Sequence, residues 1–428
     1  MGVPARNLEK NKETGWIAVR LRPFAFILAL AACCFVTGCW NRVELNELAI
    51  TSATSFDKID DKTWEISYQV VIPSAISAGT GTSGGGGGPS LPVIVYSTKG
   101  PTIREAISNS YRESSRKLFF AHNRVFIISE KVAREGLDQI IDLYLRNPDA
   151  RETVNILVTS GKAKHILEQL THIEKIPGEA IQKVISIESR NASILPNIMV
   201  YELAQATLGE SKSAVIPEIY LSGGVRADNM DELKRTHLGS AMKLGRLAVL
   251  KEGKMVGWLS KEEALGVSFM SGKFKSGNIT FACSPESDGS EKTNVRLLTS
   301  TTKLTPKLEN GKLTMGINIK GTGILQETNC SLDLNKPANI AQLENGLRQE
   351  LQKIIEASWK KTKDMKVDVM GFGEAVHHKY PKEWKKMKKD WSSVLASATI
   401  ELHIKSSIVH VGLSNKSFKL LNRKEGGD

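Results

Sequence analysis

The 428-residue chain is short of cysteine, of aromatic side chains and of long apolar runs, and each shortage narrows what it is. Its 5 cysteines include no CxxC pair and no histidine at zinc-ligand spacing, so neither a disulfide-dense mini-domain nor a structural zinc site is signalled. Aromatics make up 6%, and only one uncharged apolar run exceeds about ten residues, which excludes a polytopic membrane protein. Hydrophobic residues at 41% and charged residues at 24% are ordinary globular proportions, against collagen-like or wholly disordered chains. Acidic residues are the scarcer sign: 46 Asp and Glu against 58 Lys and Arg leave a net charge of +12. That surplus favours anionic surroundings without choosing among lipid, cell-wall polymer and nucleic acid.

Catalytic signatures are equally thin. The eight histidines are scattered and none forms HExxH. Gly81-Thr82-Ser83-Gly84-Gly85 has the letters of a nucleophile elbow, but glycine and proline follow it where that turn needs a helix. Ser114 and Lys117 have SxxK spacing without the companion motifs of serine acyl transfer. Met370-Gly371-Phe372-Gly373-Glu374 carries two of the three glycines of a dinucleotide fingerprint, and a tight turn explains it better. No catalytic, cofactor-binding or metal-ligating residue is assigned, and the chain reads as a non-enzyme.

What is present begins at the N-terminus. Five basic side chains (Arg6, Lys10, Lys12, Arg20, Arg22) precede Phe24–Val36, FAFILALAACCFV, an apolar run too short to span a bilayer. A basic segment followed by a short apolar one is an export signal. Val36-Thr37-Gly38-Cys39 then resembles a bacterial lipobox, in which small residues fit the processing site and the Cys39 thiol forms a thioether to diacylglycerol. The expectation is a lipoprotein signal peptide over 1–38 and lipidation at Cys39, by S-diacylglycerol and N-acyl groups. Two or more chains anchor stably where one binds reversibly. Cys283 and Cys330 stay open between a disulfide and two small buried hydrophobes.

Beyond the signal, strands and helices intersperse, predicting a multi-domain α+β protein of two or three mixed domains. Alternation over Thr63–Pro73 predicts a strand, and Leu91–Thr98 another, with a flexible Gly-rich loop, 79–90, between them. Thr102 and Glu105 form a capping box ahead of a helix reaching Arg116, with Tyr111 on its inner face. Lys131–Leu145 reads as one helix, and further elements follow to a strand at Ser213–Leu221. The expected division is 39–221 for an N-terminal mixed domain, a linker at 222–240, a β-rich middle domain at 241–330 and a C-terminal α/β domain at 331–428. In the middle part, Lys251-Glu252-Gly253 signals a hairpin, Ser260 with Glu263 caps a helix, and Glu309-Asn310-Gly311 joins two strands. Ala338–Lys363 is the most periodic helix, with Leu343, Leu347, Leu351 and Ile354 in one stripe. Pro381–Trp391 reads as a further helix and Ala398–Val411 as a strand. The Lys379–Lys389 run, KYPKEWKKMKK, is a solvated helix face or a headgroup contact, since export removes it from nucleic acid.

Several stretches resemble the Ger(x)C (GerAC-type) spore-germination lipoproteins, the C subunits of GerA-type nutrient germinant receptors. They are Gly38-Cys39-Trp40-Asn41-Arg42-Val43-Glu44-Leu45, the run Ser115–Val125 with Leu145–Arg151, and Val367-Asp368-Val369-Met370-Gly371-Phe372-Gly373-Glu374 through Trp384 to Trp391. The resemblance implies a non-enzymatic α+β subunit, lipid-anchored on the outer face of the spore inner membrane. It implies membrane-embedded A and B subunits as partners, and a role in receptor assembly or signalling. The bilayer is engaged through acylated Cys39; neither nucleic acid nor a cofactor is expected. The alternative is a solute-binding lipoprotein of a transport system, which would need two similar lobes around a cleft; a wall-modifying hydrolase would need a convergent carboxylate pair or metal cluster.

Overall fold

A computed structural model of the chain describes residues 44–77, 91–147, 149–237, 239–283 and 291–410. The expected signal segment 1–38, Cys39 and the glycine loop at 79–90 lie outside them. Glu44–Leu48 closes a first unit with a single 3-10 turn, Leu45–Glu47. The second unit runs from Ala49 and holds two sheets.

The first sheet contains β1 (Leu48–Lys58), β2 (Trp64–Val71), β3 (Val93–Gly100), β4 (Lys117–Phe119), β5 (Val125–Ser129), β6 (Asn155–Thr159), β7 (Ser213–Gly223), β8 (Ser240–Lys251) and β9 (Lys254–Leu259). Its order is β3-β2-β1-β5-β6-β7-β8-β9, with β4 beside β1. The middle ladders, β1 to β5 to β6 to β7, are parallel, and both flanks are antiparallel. Parallel strands covered on both faces read as continuous apolar runs. VFIIS and NILVT (β5 and β6) do so, every residue buried. Phe126 and Ile128 point into one core and Val125 and Ile127 into the other, as the two-residue strand period requires.

The second sheet is β10 (Gly277–Ala282), β11 (Lys292–Glu309), β12 (Lys312–Thr328) and β13 (Thr399–His410), in that order. The first three are antiparallel, but β12 and β13 are parallel, so the chain crosses back through the helix Pro337–Asp364. Leu343, Leu347, Leu351 and Ile355 recur every four residues on that helix and join Met315, Ile317 and Ile319 in a separate core. Each such side chain contributes roughly 1.5–3 kcal/mol by leaving water. Cys283, just past β10, is disulfide-bonded to Cys330, just past β12, with 5.8 Å between Cα atoms.

Local signals translate directly where backbone chemistry dictates them. Glu252 and Gly253 both have positive φ (49° and 75°), as do Asn310 and Gly311 (49° and 77°), and each pair is a two-residue hairpin turn. The capping box is present, Glu263 N donating to Ser260 Oγ and Ser260 N to Glu263 Oε2. Other expectations change. The helix over Lys131–Leu145 is two, Glu130–Glu135 and Asp138–Arg146, because Gly136 at φ 131° breaks the ladder and Leu137 N turns to Gly253 O. Tyr111 is exposed rather than inward, the inner face of Ile103–Glu113 being Ile103, Ala106 and Ser110. On the long helix, Ile354 packs half-buried against the core as expected, and Ile355, not singled out in the sequence, is wholly buried in it. Gly371 makes the expected turn, at a left-handed φ of 84°, and a helix, Phe372–Lys379, starts from it. Pro381–Trp391 divides into Pro381–Met387, a 3-10 turn at Lys388–Asp390 and Trp391–Ser397. β8 and β9 extend the sheet of β1–β7, so its hydrogen bonding carries across 222–240. The step from 330 to 331 lies between β12 and the crossover to β13.

Candidate functional site

Of the stretches singled out in the sequence, Cys39 is outside the described residues and the others fall at three places. Ser115–Val125 packs the first sheet: Arg124 N donates to Ser52 O at 2.9 Å, Asn155 N to Arg124 O at 3.0 Å, and Asn123 Nδ2 to Tyr144 Oη at 3.0 Å. Ser114 caps the end of the helix Ile103–Glu113 and its hydroxyl donates to Arg116 O at 2.7 Å. Leu145–Arg151 closes the helix Asp138–Arg146.

The third stretch builds a polar joint between the two sheets. Asp368 is 2% exposed, and four donors converge on its carboxylate. Oδ1 accepts from Gly371 N at 3.1 Å and Phe372 N at 2.9 Å; Oδ2 accepts from Gly373 N at 2.6 Å and Trp391 Nε1 at 3.1 Å. Its own N–H donates to Ser213 Oγ at the start of β7. The local sequence suits this. Gly371 takes a left-handed φ of 84°, turning the chain so that three successive N–H groups face one carboxylate. A Cβ on Gly373 would stand 2.9 Å from the Trp384 ring and 3.2 Å from Asp368 Oδ2, so glycine is what lets the helix start approach. Trp384 and Trp391 pack edge to face, 4.8 Å between centroids.

Around this knot the contacts continue across the sheets. Trp384 Nε1 donates to Glu210 Oε2 at 3.0 Å, and Lys388 Nζ pairs with the same oxygen at 2.6 Å. His377 Nδ1 lies 3.5 Å from Glu210 Oε1. Lys251, at the end of β8, donates to Ser392 Oγ at 2.6 Å and to Lys366 O at 3.3 Å. Lys379 Nζ donates to Pro306 O on β11. Thus part of the basic run at 379–389 is committed to the joint, while Lys382, Lys385, Lys386 and Lys389 are exposed.

The electrostatics are those of a fastener. Burial pushes the Asp368 carboxyl up to about 6, working against the four donors that favour its charge. The Lys388 hydrogen bond, with Trp384, holds Glu210 below the usual carboxylate range. Both Asp368 oxygens are bonded within the joint. Among the described residues no three His, Cys, Asp or Glu side chains converge as metal ligands, and no helix is long and apolar enough to cross a membrane. The joint itself was not foreseen from the sequence. Its available signal was an Asp three residues ahead of Gly-Phe-Gly, the spacing of an acidic helix cap.

Comparison with known proteins gives a consistent result over both sheets. Residues 41–221 match the family profile described as the spore germination protein N-terminal domain, and residues 245–412 match the spore germination B3/GerAC-like C-terminal profile. The chain is 30% identical to spore germination protein KC of Bacillus subtilis (strain 168) over 398 residues, covering 92% of this chain and 97% of that protein. It is 22% identical to spore germination protein B3 of the same organism, covering 91% and 97%. The crystal structure of the GerBC protein superposes with a TM-score of 0.53 at 17% identity, over 83% of this chain and 96% of that one, and so has the same fold.

Proposed function

We propose a receptor role from one premise: the chain belongs to the GerAC-type family of spore germination proteins. On this reading it is the C subunit of a nutrient germinant receptor, a non-enzymatic lipoprotein at the outer face of the spore inner membrane. Residues 1–38 are its export signal and Cys39 carries the diacylglycerol and N-acyl groups. Membrane-embedded A and B subunits are its partners. The observation that carries the reading is the family match over residues 41–221 and 245–412, which begins directly behind Val36-Thr37-Gly38-Cys39.

Physically, an anchor confines the folded body to a thin layer above the bilayer. Docking to a partner in the same membrane then becomes nearly intramolecular, and effective concentrations on the order of millimolar let weak contacts hold. The joint around Asp368 supports the same picture, because it fastens the two sheets so that they move as one. A nine-stranded and a four-stranded sheet are unlike in size and order, which weighs against two matched lobes closing on a transported solute.

Replacing Cys39 tests the reading. In spores carrying Cys39→Ala the protein is expected to lose membrane retention while the exported body still folds, and nutrient-triggered germination is expected to fall. Normal germination together with normal retention of the variant in the membrane fraction would overturn it.

A further inference from the structure

A cavity of about 570 Å³ opens where β6 and β7 part company. These two parallel strands share a single bridge, Val158 with Glu218. Beyond it β6 leaves through Ser160-Gly161-Lys162 into the helix Ala163–Glu168, whereas β7 continues, paired antiparallel with β8 on its other edge from Ser213 to Gly223. A crevice outside the carboxyl end of a parallel strand is a common ligand position in open α/β sheets.

The walls are charged in a particular way. Glu218, almost fully buried on β7, is consumed: Arg246 binds it through Nε at 2.9 Å, Nη2 at 2.7 Å and its backbone N–H at 2.9 Å. The guanidinium is held from another side by the Trp258 ring, 4.1 Å away. Arg246 is therefore rigid, and its Nη1 makes no hydrogen bond among the described residues. Lys162 and Lys261 also border the cavity, and neither makes an ion pair among the described residues. Of the nearby acids, Glu168 pairs with Arg226 and Glu130 with Arg134, while Glu188, bonded to the N–H groups of Ile194 and Leu195, keeps its charge and acts on Lys261. Among the lining residues Lys162, Lys261 and Arg246 stand against Glu218, a net charge of +2 that Glu188 offsets in part from outside the lining. Tyr220, Ile166 and Leu221 supply an apolar stretch of wall.

We infer that this cavity binds a small organic dianion, a molecule bearing two carboxylates or a phosphate ester on an apolar frame. Arg246 presents a preorganised fork edge to one anionic group, and the two lysines act as point charges for the remaining charge. The volume lies within the range of small-molecule sites and is larger than a bare inorganic anion requires. Gly161 lines the cavity and offers a control, since a Cβ built there meets no atom within 4 Å and a side chain can be rooted there without a clash.

Calorimetric titration of the purified full chain in detergent at low salt tests this, with glutarate and phenyl phosphate as probes and acetate and inorganic phosphate as controls. At least one probe is expected to bind saturably at millimolar concentration or below, both controls about tenfold more weakly or worse. Lys162→Gln with Lys261→Gln is expected to weaken the probe about tenfold, and Gly161→Leu to abolish binding, with unfolding midpoints unchanged. No saturable heat from either probe, undiminished binding in these variants, or inorganic phosphate binding as well as phenyl phosphate would each overturn the inference.

Discussion

The Cys283–Cys330 bond closes a long loop, and its removal has a calculable consequence. The two residues are 47 apart in sequence and tie the end of β10 to the chain leaving β12. In the chain-entropy account, a loop of that length costs the unfolded state about 4 kcal/mol of freedom, and measured bonds usually deliver about 2–4 kcal/mol. The bond spans the whole β11–β12 hairpin, so the loss should fall on the second sheet. Buried Trp359, Trp384 and Trp391 report on that body by fluorescence. Cys283→Ser with Cys330→Ser is expected to lower the urea midpoint of its transition by roughly 1 M, taking a slope near 3 kcal/mol per molar. Dithiothreitol should do the same to the unaltered chain and nothing to the variant. Alkylation of both thiols in unreduced, denatured protein would refute the pairing. An unmoved midpoint in the variant would refute the energetic argument even with the bond confirmed by peptide mass.

Other outcomes follow from the same packing. Asp368→Ala strands three backbone N–H groups and the Trp391 indole, and is expected to cost at least about 3 kcal/mol in denaturant titration. In the unaltered chain the raised Asp368 carboxyl binds its proton more tightly folded than unfolded. Its contribution is thus full below the ordinary value of 3.8 and lost as pH rises through about 6, a decline of about 3 kcal/mol absent from Asp368→Asn. Leu347→Ala, at a wholly buried position of the long helix, should cost about 2–5 kcal/mol by calorimetry or urea titration. Gly373→Ala pushes a methyl against Trp384 and should cost about 1–3 kcal/mol, seen as a shifted tryptophan emission together with a lower midpoint.

Much of the fold is legible in the sequence wherever a short-range rule decides. Positive φ at Glu252-Gly253 and Asn310-Gly311 has a residue signature, and so does the Ser260–Glu263 box, whose reciprocal bonds span only three residues. The long helix declares itself through leucines at fours. What is not legible depends on distant partners. β1, LAITSATSFDK, is a central strand rich in Ser and Thr, which reads as loop until β2 and β5 pair with it on either side. Buried Ser52 bonds Gln69 Oε1, and Asp57 accepts from Ala163 N and Lys164 N, so its polar residues are satisfied by segments far away in sequence. A glycine inside an apolar period is compatible with a helix, and only Gly253 O, arriving from the β8–β9 turn, shows why the ladder stops at Gly136. The joint is the extreme case. Asp368, Ser213, Glu210 and Trp384 are brought together by the packing of two sheets, and no window of sequence contains them all.

The crossover between β12 and β13 has a consequence for how the protein comes into being. The strand that seals β12 is synthesised and delivered last, about seventy residues after its neighbour. Until it arrives, a 17-residue strand presents a bare row of backbone donors and acceptors, the kind of template on which other chains accrete. A nonsense codon near residue 398 would therefore do more than trim the protein: it would turn a finished fold into a sticky one, aggregating in proportion to its expression.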